Sequence, residues 1–172
     1  MLLNWAIEAM KWQSAMQTVT DISFKNSFKA IFSGNALAFF TPNRIGEYFG
    51  RMLHLEEKKR IISIPLTMVC SIAQLLITLI VGWVGLVSLS GAIENHFASH
   101  SNIKFGLSSI LYGTGAVAIV LTIFYFRLAS LVKRLERMSW MLRWKEQLSI
   151  LGGINATILS RILSLSGARY LV

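Results

Sequence analysis

Two stretches of this chain contain no Asp, Glu, Lys or Arg: Ile61 to Ile93 and Phe105 to Phe126. A bilayer core about 30 Å thick requires roughly 20 apolar residues of helix, and each stretch is long enough. In a soluble fold both would have to be helices buried on every side. A chain of 172 residues has too little interior to wrap two such helices. Neither has the position of a cleaved leader, because both lie deep in the chain, and the N-terminal segment is interrupted early by Glu8. Only 15% of residues are charged, against about 25% in soluble domains, and these two runs hold most of the deficit. The expected class is an all-α, polytopic membrane protein.

The charges orient it. Lys58, Lys59 and Arg60 precede the first run. Arg127, Lys133, Arg134, Arg137, Arg143 and Lys145 follow the second. The intervening loop, 90–104, holds Glu94, His96, His100 and Lys104. Positive residues accumulate on the cytoplasmic side, so the two runs form a hairpin with cytoplasmic flanks and an extracytoplasmic loop. His96 and His100 have helical metal-ligand spacing. Without a Cys or second carboxylate to join them they read as a solvated loop. The net charge of +9 sits beside the spans, which points to anionic lipid headgroups rather than nucleic acid.

The spanning part of the first run is expected over Ser63 to Leu89, with Pro65 tolerated in its first turn. Gln74 lies near its middle and should face protein rather than hydrocarbon, bonded to another helix or to a polar substrate. Cys70 is a lone packing residue. Gly113 and Gly115 in the second run permit close helix approach.

The first sixty residues are amphipathic. Asn4, Glu8, Lys11, Ser14 and Thr18 recur at steps of three or four, forming one polar helical stripe. Such a helix lies at an interface or lines a polar cavity, and Glu8 and Lys11 can pair. Phe24, Phe28 and Ile31 begin a second helix, which becomes apolar over Ala36 to Phe40. Thr41 precedes Pro42 and is pushed off helical geometry; a third helix is expected to start there, with Thr41 as N-cap and Pro42 as first residue. A helix, a break and a helix with too few apolar residues for two spans describes a re-entrant pair. Irregular backbone at membrane depth persists only against protein or a wet cavity, and the amide end of the third helix would face that cavity. Arg44, Glu47 and Arg51 share a face as an ion-pair ladder able to hold a phosphate. An ordinary salt-bridged surface helix fits the same spacing. Gly46 and Gly50 allow tight packing on the adjacent face.

The segment Phe39-Phe40-Thr41-Pro42-Asn43-Arg44-Ile45-Gly46-Glu47-Tyr48 resembles the proline–x–arginine–x–glycine–glutamate signature of the lysylphosphatidylglycerol synthase transmembrane-region family, flippase-like proteins of bacterial cell membranes. Leu3-Asn4-Trp5 and Lys11-Trp12 are similar to its preceding helix, and Leu163-Ser164 and Arg169-Tyr170 to the stretch leading into later helices. Many members carry an aspartate in the next helix, where this chain has Gln74 as its most polar mid-span residue. The resemblance implies movement of a phospholipid or lipid-linked headgroup between leaflets, with Thr41, Pro42, Asn43, Arg44, Gly46, Glu47, Arg51 and Gln74 as the lipid-binding residues. Members have about twice as many helices, so the chain reads as one membrane domain that is part of a larger one. A second copy or the remainder of that domain would complete it.

Leu131 to Leu148 reads as a basic helix in the cytoplasmic interface, with Leu131, Leu135, Met138 and Leu142 as its apolar stripe. Binding anionic lipid is one use of it; docking a soluble partner is another. Expected segments are therefore 1–60 (amphipathic and re-entrant helices), 61–127 (the transmembrane hairpin) and 128–172 (the interfacial helix and the start of a further segment). No nucleotide motif, nucleophile elbow or metal cluster is present, so neither cofactor nor catalytic residue is expected. The competing function is a membrane-embedded glycosyltransferase, or its accessory subunit, acting on lipid-linked sugars through an acidic residue such as Glu47.

Overall fold

The computed structural model describes residues 2–96, 101–135 and 154–172. Among them are six α-helices and no strand: α1 (Leu2–Met16), α2 (Phe24–Phe40), α3 (Gly46–Met52), α4 (Glu57–His96), α5 (Ser101–Leu135) and α6 (Ala156–Ala168). Two helical stretches, Lys59–Gly91 and Phe105–Arg127, are long and apolar enough to cross a membrane. The chain divides into two compact units, one comprising Met1–Gln74 with Phe126–Val172 and the other Leu75–Tyr125.

In the first unit α1 packs against both α2 and α6, and α2 against α3. Ala9, Trp12, Ala15 and Met16 of α1 are buried, as are Ala30 and Ile31 of α2, Leu66, Val69, Cys70 and Ala73 of α4, and Leu159 and Ile162 of α6. The buried Trp12 indole donates to Thr67 Oγ1 at 3.2 Å, tying α1 to α4. Ser23 caps α2, its hydroxyl accepting from Asn26 N–H.

The α2–α3 contact depends on two missing side chains. A Cβ on Gly50 would lie 2.5 Å from the Ser33 carbonyl oxygen and 2.6 Å from the Gly34 backbone, and one on Gly46 would run into the Leu37 carbonyl. Both obstacles are backbone, so only glycine lets the helices touch there.

The break differs in detail from the expectation. Pro42–Arg44 is one 3-10 turn, with Asn43 and Arg44 at φ 58° and 59°, and α3 begins at Gly46 rather than Pro42. Two residues in left-handed geometry cannot continue a right-handed helix. Thr41 still caps, but across the turn: its hydroxyl accepts from Gly46 N–H at 2.8 Å and donates to the Leu37 carbonyl at 3.0 Å. Pro65 also moves. Because α4 starts at Glu57, Pro65 lies inside the helix rather than in its first turn, which leaves the Ile61 carbonyl without its i+4 amide.

In the second unit the Trp83 indole donates to the Leu111 carbonyl at 3.0 Å. Gly115 makes room for that ring, since a Cβ there would come within 2.8 Å of Trp83 Nε1. Gly82, Gly85, Gly91 and Gly113 face open space. Helices α4 and α5 reach His96 and start at Ser101, so most of the expected 90–104 loop is helical. His100 and most of the basic 131–148 stretch fall outside the described residues, and the readings made of them go with those residues.

Candidate functional site: a buried, net-positive ion cluster

The polar stripe of α1 faces inward. Lys11 is 1% exposed, Glu8 8% and Ser14 is likewise buried, whereas Leu2, Leu3 and Met10 lie outside. The reason is pairing. Glu8 is a carboxylate shared by three cations: Lys11 Nζ at 2.7 Å and Arg169 Nη1 at 2.5 Å, both on Oε2, and Arg51 Nη2 at 3.3 Å on Oε1. A buried charge is tolerated when it is paired and hydrogen-bonded. Burial by itself raises the Glu8 pKa; the charges of Lys11, Arg51 and Arg169 outweigh it and hold the carboxyl below its ordinary value.

The cluster extends in two directions. Towards α3, Arg51 Nη2 also binds Glu47 Oε1, and Glu47 Oε2 accepts from Arg44 at 3.2 Å. The Arg44–Glu47–Arg51 ladder therefore exists as spacing predicts, and its ends differ sharply: Arg51 is 2% exposed, whereas the Arg44 side chain is 70% exposed. Towards α4, Gln74 Oε1 accepts from Arg169 Nη1 at 3.1 Å and from Lys11 Nζ at 3.5 Å. Arg169 Nε also reaches Asn4 Oδ1. Glu47, Arg51 and Gln74 are thus brought to one cluster. Thr41 and Gly46 shape the turn beside it, and Pro42 and Asn43 are exposed on that turn, outside the network.

Arg169 is the member that spacing did not reveal. It follows α6, whose Leu159 and Ile162 are buried and whose face packs on α1. The available signal was a lone acid, Glu8, in an otherwise buried stripe together with a cation in the apolar tail.

Among the described residues the charges of the cluster do not cancel. Glu8 and Glu47 face Lys11, Arg51 and Arg169, leaving one positive charge in excess, and exposed Arg44 adds a second. Donors do not cancel either. A guanidinium carries five N–H groups. Arg51 uses Nη2 for both glutamates, while its Nε and Nη1, both buried, have no partner among the described residues. Gly34 helps make this position available: a Cβ there would lie 3.0 Å from Arg51 Cγ and 3.5 Å from its Nε.

Large apolar side chains are exposed beside the cluster. Phe39 and Phe40, at the turn between α2 and α3, are 84% and 81% exposed, and Ile45, Phe49 and Leu53 continue the surface. Among the described residues no three His, Cys, Asp or Glu side chains come together as a metal-ligand set. No family model, curated protein or solved structure matches this chain.

Proposed function

We propose that this chain is part of a multi-pass bacterial inner-membrane protein that binds a phospholipid or lipid-linked headgroup and moves it between leaflets. The observation that carries the reading is a net-positive ion cluster inside with bare aromatic side chains, Phe39 and Phe40, outside at the α2–α3 turn. That arrangement is costly in water and favourable in lipid, where ionisable groups face the protein interior and mark substrate paths. In this reading α4 and α5 span the bilayer with their flanks cytoplasmic, and the α2–α3 pair enters it without crossing, Phe39 and Phe40 in the hydrocarbon. A charged headgroup passing the cluster would exchange water for Arg44, Arg51, Lys11 and Arg169 while its acyl chains stay in lipid. That exchange lowers the cost of moving charge through an apolar medium.

Transfer of a lipid-linked sugar would ask Glu47 to act as an acid or base. Its two carboxylate oxygens are instead committed to Arg51 and Arg44, which favours a binding and positioning role. The test is reconstitution of the purified protein in liposomes with fluorescent phospholipid, reading the fraction reached by an impermeant quencher with time. Transport should be lost in Glu47→Ala while the helical circular dichroism is retained. Undiminished flipping by Glu47→Ala would sink the assignment.

A further inference from the structure

Within the cluster, Arg51 has a chemistry that the ion pairs do not use. Its Nε carries one N–H and Nη1 two, and both nitrogens are buried with no partner among the described residues. An unsatisfied buried donor is costly, and more so when charged, so three around one guanidinium are not a neutral feature. They coincide with the excess positive charge of the same cluster. Unused donors on a cation and an uncancelled unit charge call for the same complement, a compact oxyanion bearing one negative charge.

Resting on the lipid-handling reading above, we infer that Arg51 is the binding residue for the phosphodiester of the lipid, the group common to phospholipids, and that the rest of the headgroup contributes little. Two features support this. Guanidinium matches the tetrahedral, multi-oxygen geometry of phosphate through several N–H donors at once. The stem of Arg51 is packed against Gly34 and its Nη2 is held by Glu8 and Glu47, so the fork is ordered before a ligand arrives and little side-chain entropy is lost on binding. Arg169 is a partly exposed edge of the cluster, its side chain 24% exposed while those of Lys11 and Arg51 are sealed, and it holds the opposite oxygen of Glu8 from Arg51.

The experiment measures ligand-induced stabilisation of the purified protein in detergent, each variant referenced to its own ligand-free melting temperature. The probes are phosphatidylglycerol, phosphatidylcholine, diacylglycerol and inorganic phosphate. Both phospholipids should stabilise wild type similarly and diacylglycerol should not. Arg51→Lys, which keeps the charge but loses the fork, should weaken phospholipid binding by roughly ten- to a hundredfold. Equal phospholipid binding by wild type and Arg51→Lys overturns the inference and leaves lipid handling standing. Stabilisation by inorganic phosphate as strong as by phospholipid, lost in Arg51→Lys, supports the oxyanion site and removes the lipid as its source.

A second measurement needs no variant. In D2O the buried Nε–H of Arg51 should persist after that of exposed Arg44 has exchanged. Its 15N resonance should move on addition of either phospholipid and stay put with diacylglycerol. An unmoved resonance under saturating phospholipid refutes the assignment.

Discussion

Replacing Glu8 by Gln tests whether the cluster is a buried ion network or an incidental set of surface pairs. Lys11 Nζ and Arg169 Nη1 lie 2.7 and 2.5 Å from the same Glu8 oxygen, so they are no more than about 5 Å apart. At an effective dielectric constant of about 20, two like charges at that distance repel by roughly 3 kcal/mol. The amide keeps the shape of the carboxylate but removes the charge that offsets this. Breaking a buried ion pair by deleting one partner costs about 3–5 kcal/mol, whereas an exposed pair is worth about 0–1. At about 2–4 °C per kcal/mol for a chain of this size, the melting temperature should fall by roughly 6–20 °C. The assay is thermal unfolding in mild detergent, followed by circular dichroism at 222 nm. The double variant Glu8→Gln/Arg169→Gln removes one of the stranded cations and should recover part of the loss, a non-additivity expected only of residues in one network. A Glu8→Gln protein melting within about 2 °C of wild type would refute the reasoning, because no buried hub could be removed so cheaply.

Three further outcomes follow from the same structure. The Glu8 carboxyl titrates below its ordinary value in the folded protein. Its stabilising contribution is therefore complete above the unfolded value of about 4.3 and is lost as pH falls through the lower folded value; melting curves taken from pH 7 to 3 should converge for wild type and Glu8→Gln, and a constant gap would exclude this linkage. Gly50→Ala drives a methyl against α2 backbone and should cost at least about 1–3 kcal/mol, whereas Gly82→Ala meets open space and should be neutral or stabilising by up to about 1 kcal/mol; equal melting temperatures would contradict the close α2–α3 approach. Asn43→Val places a β-branched residue at φ 58° and should destabilise by about 1–3 kcal/mol, while Asn43→Gly should not; indifference to both would mean that the left-handed turn is wrong.

The helical class, the two span-length runs and the break after Phe40 were legible because each follows from local rules: absence of charge over a fixed length, and the geometry imposed on a residue before proline. So was the Arg44–Glu47–Arg51 ladder, since spacings of three and four determine which side chains meet on one helix. The exact start of α3 was not, because the left-handed pair Asn43 and Arg44 is a compromise between the turn and the Thr41 hydroxyl's bond to Gly46. Local rules stop at the edge of a helix. Whether the stripe of α1 faced water, lipid headgroups or protein depended on what packed against it. Only the tertiary structure joined Glu8 to Arg51, 43 residues on, and to Arg169, 161 residues on. Pairing across such distances is decided by which helices bury their apolar faces together, α1 on α2 and on α6. That packing sealed Arg51 with three N–H groups unused by any described residue, a property of the assembled cluster that no spacing within one helix encodes.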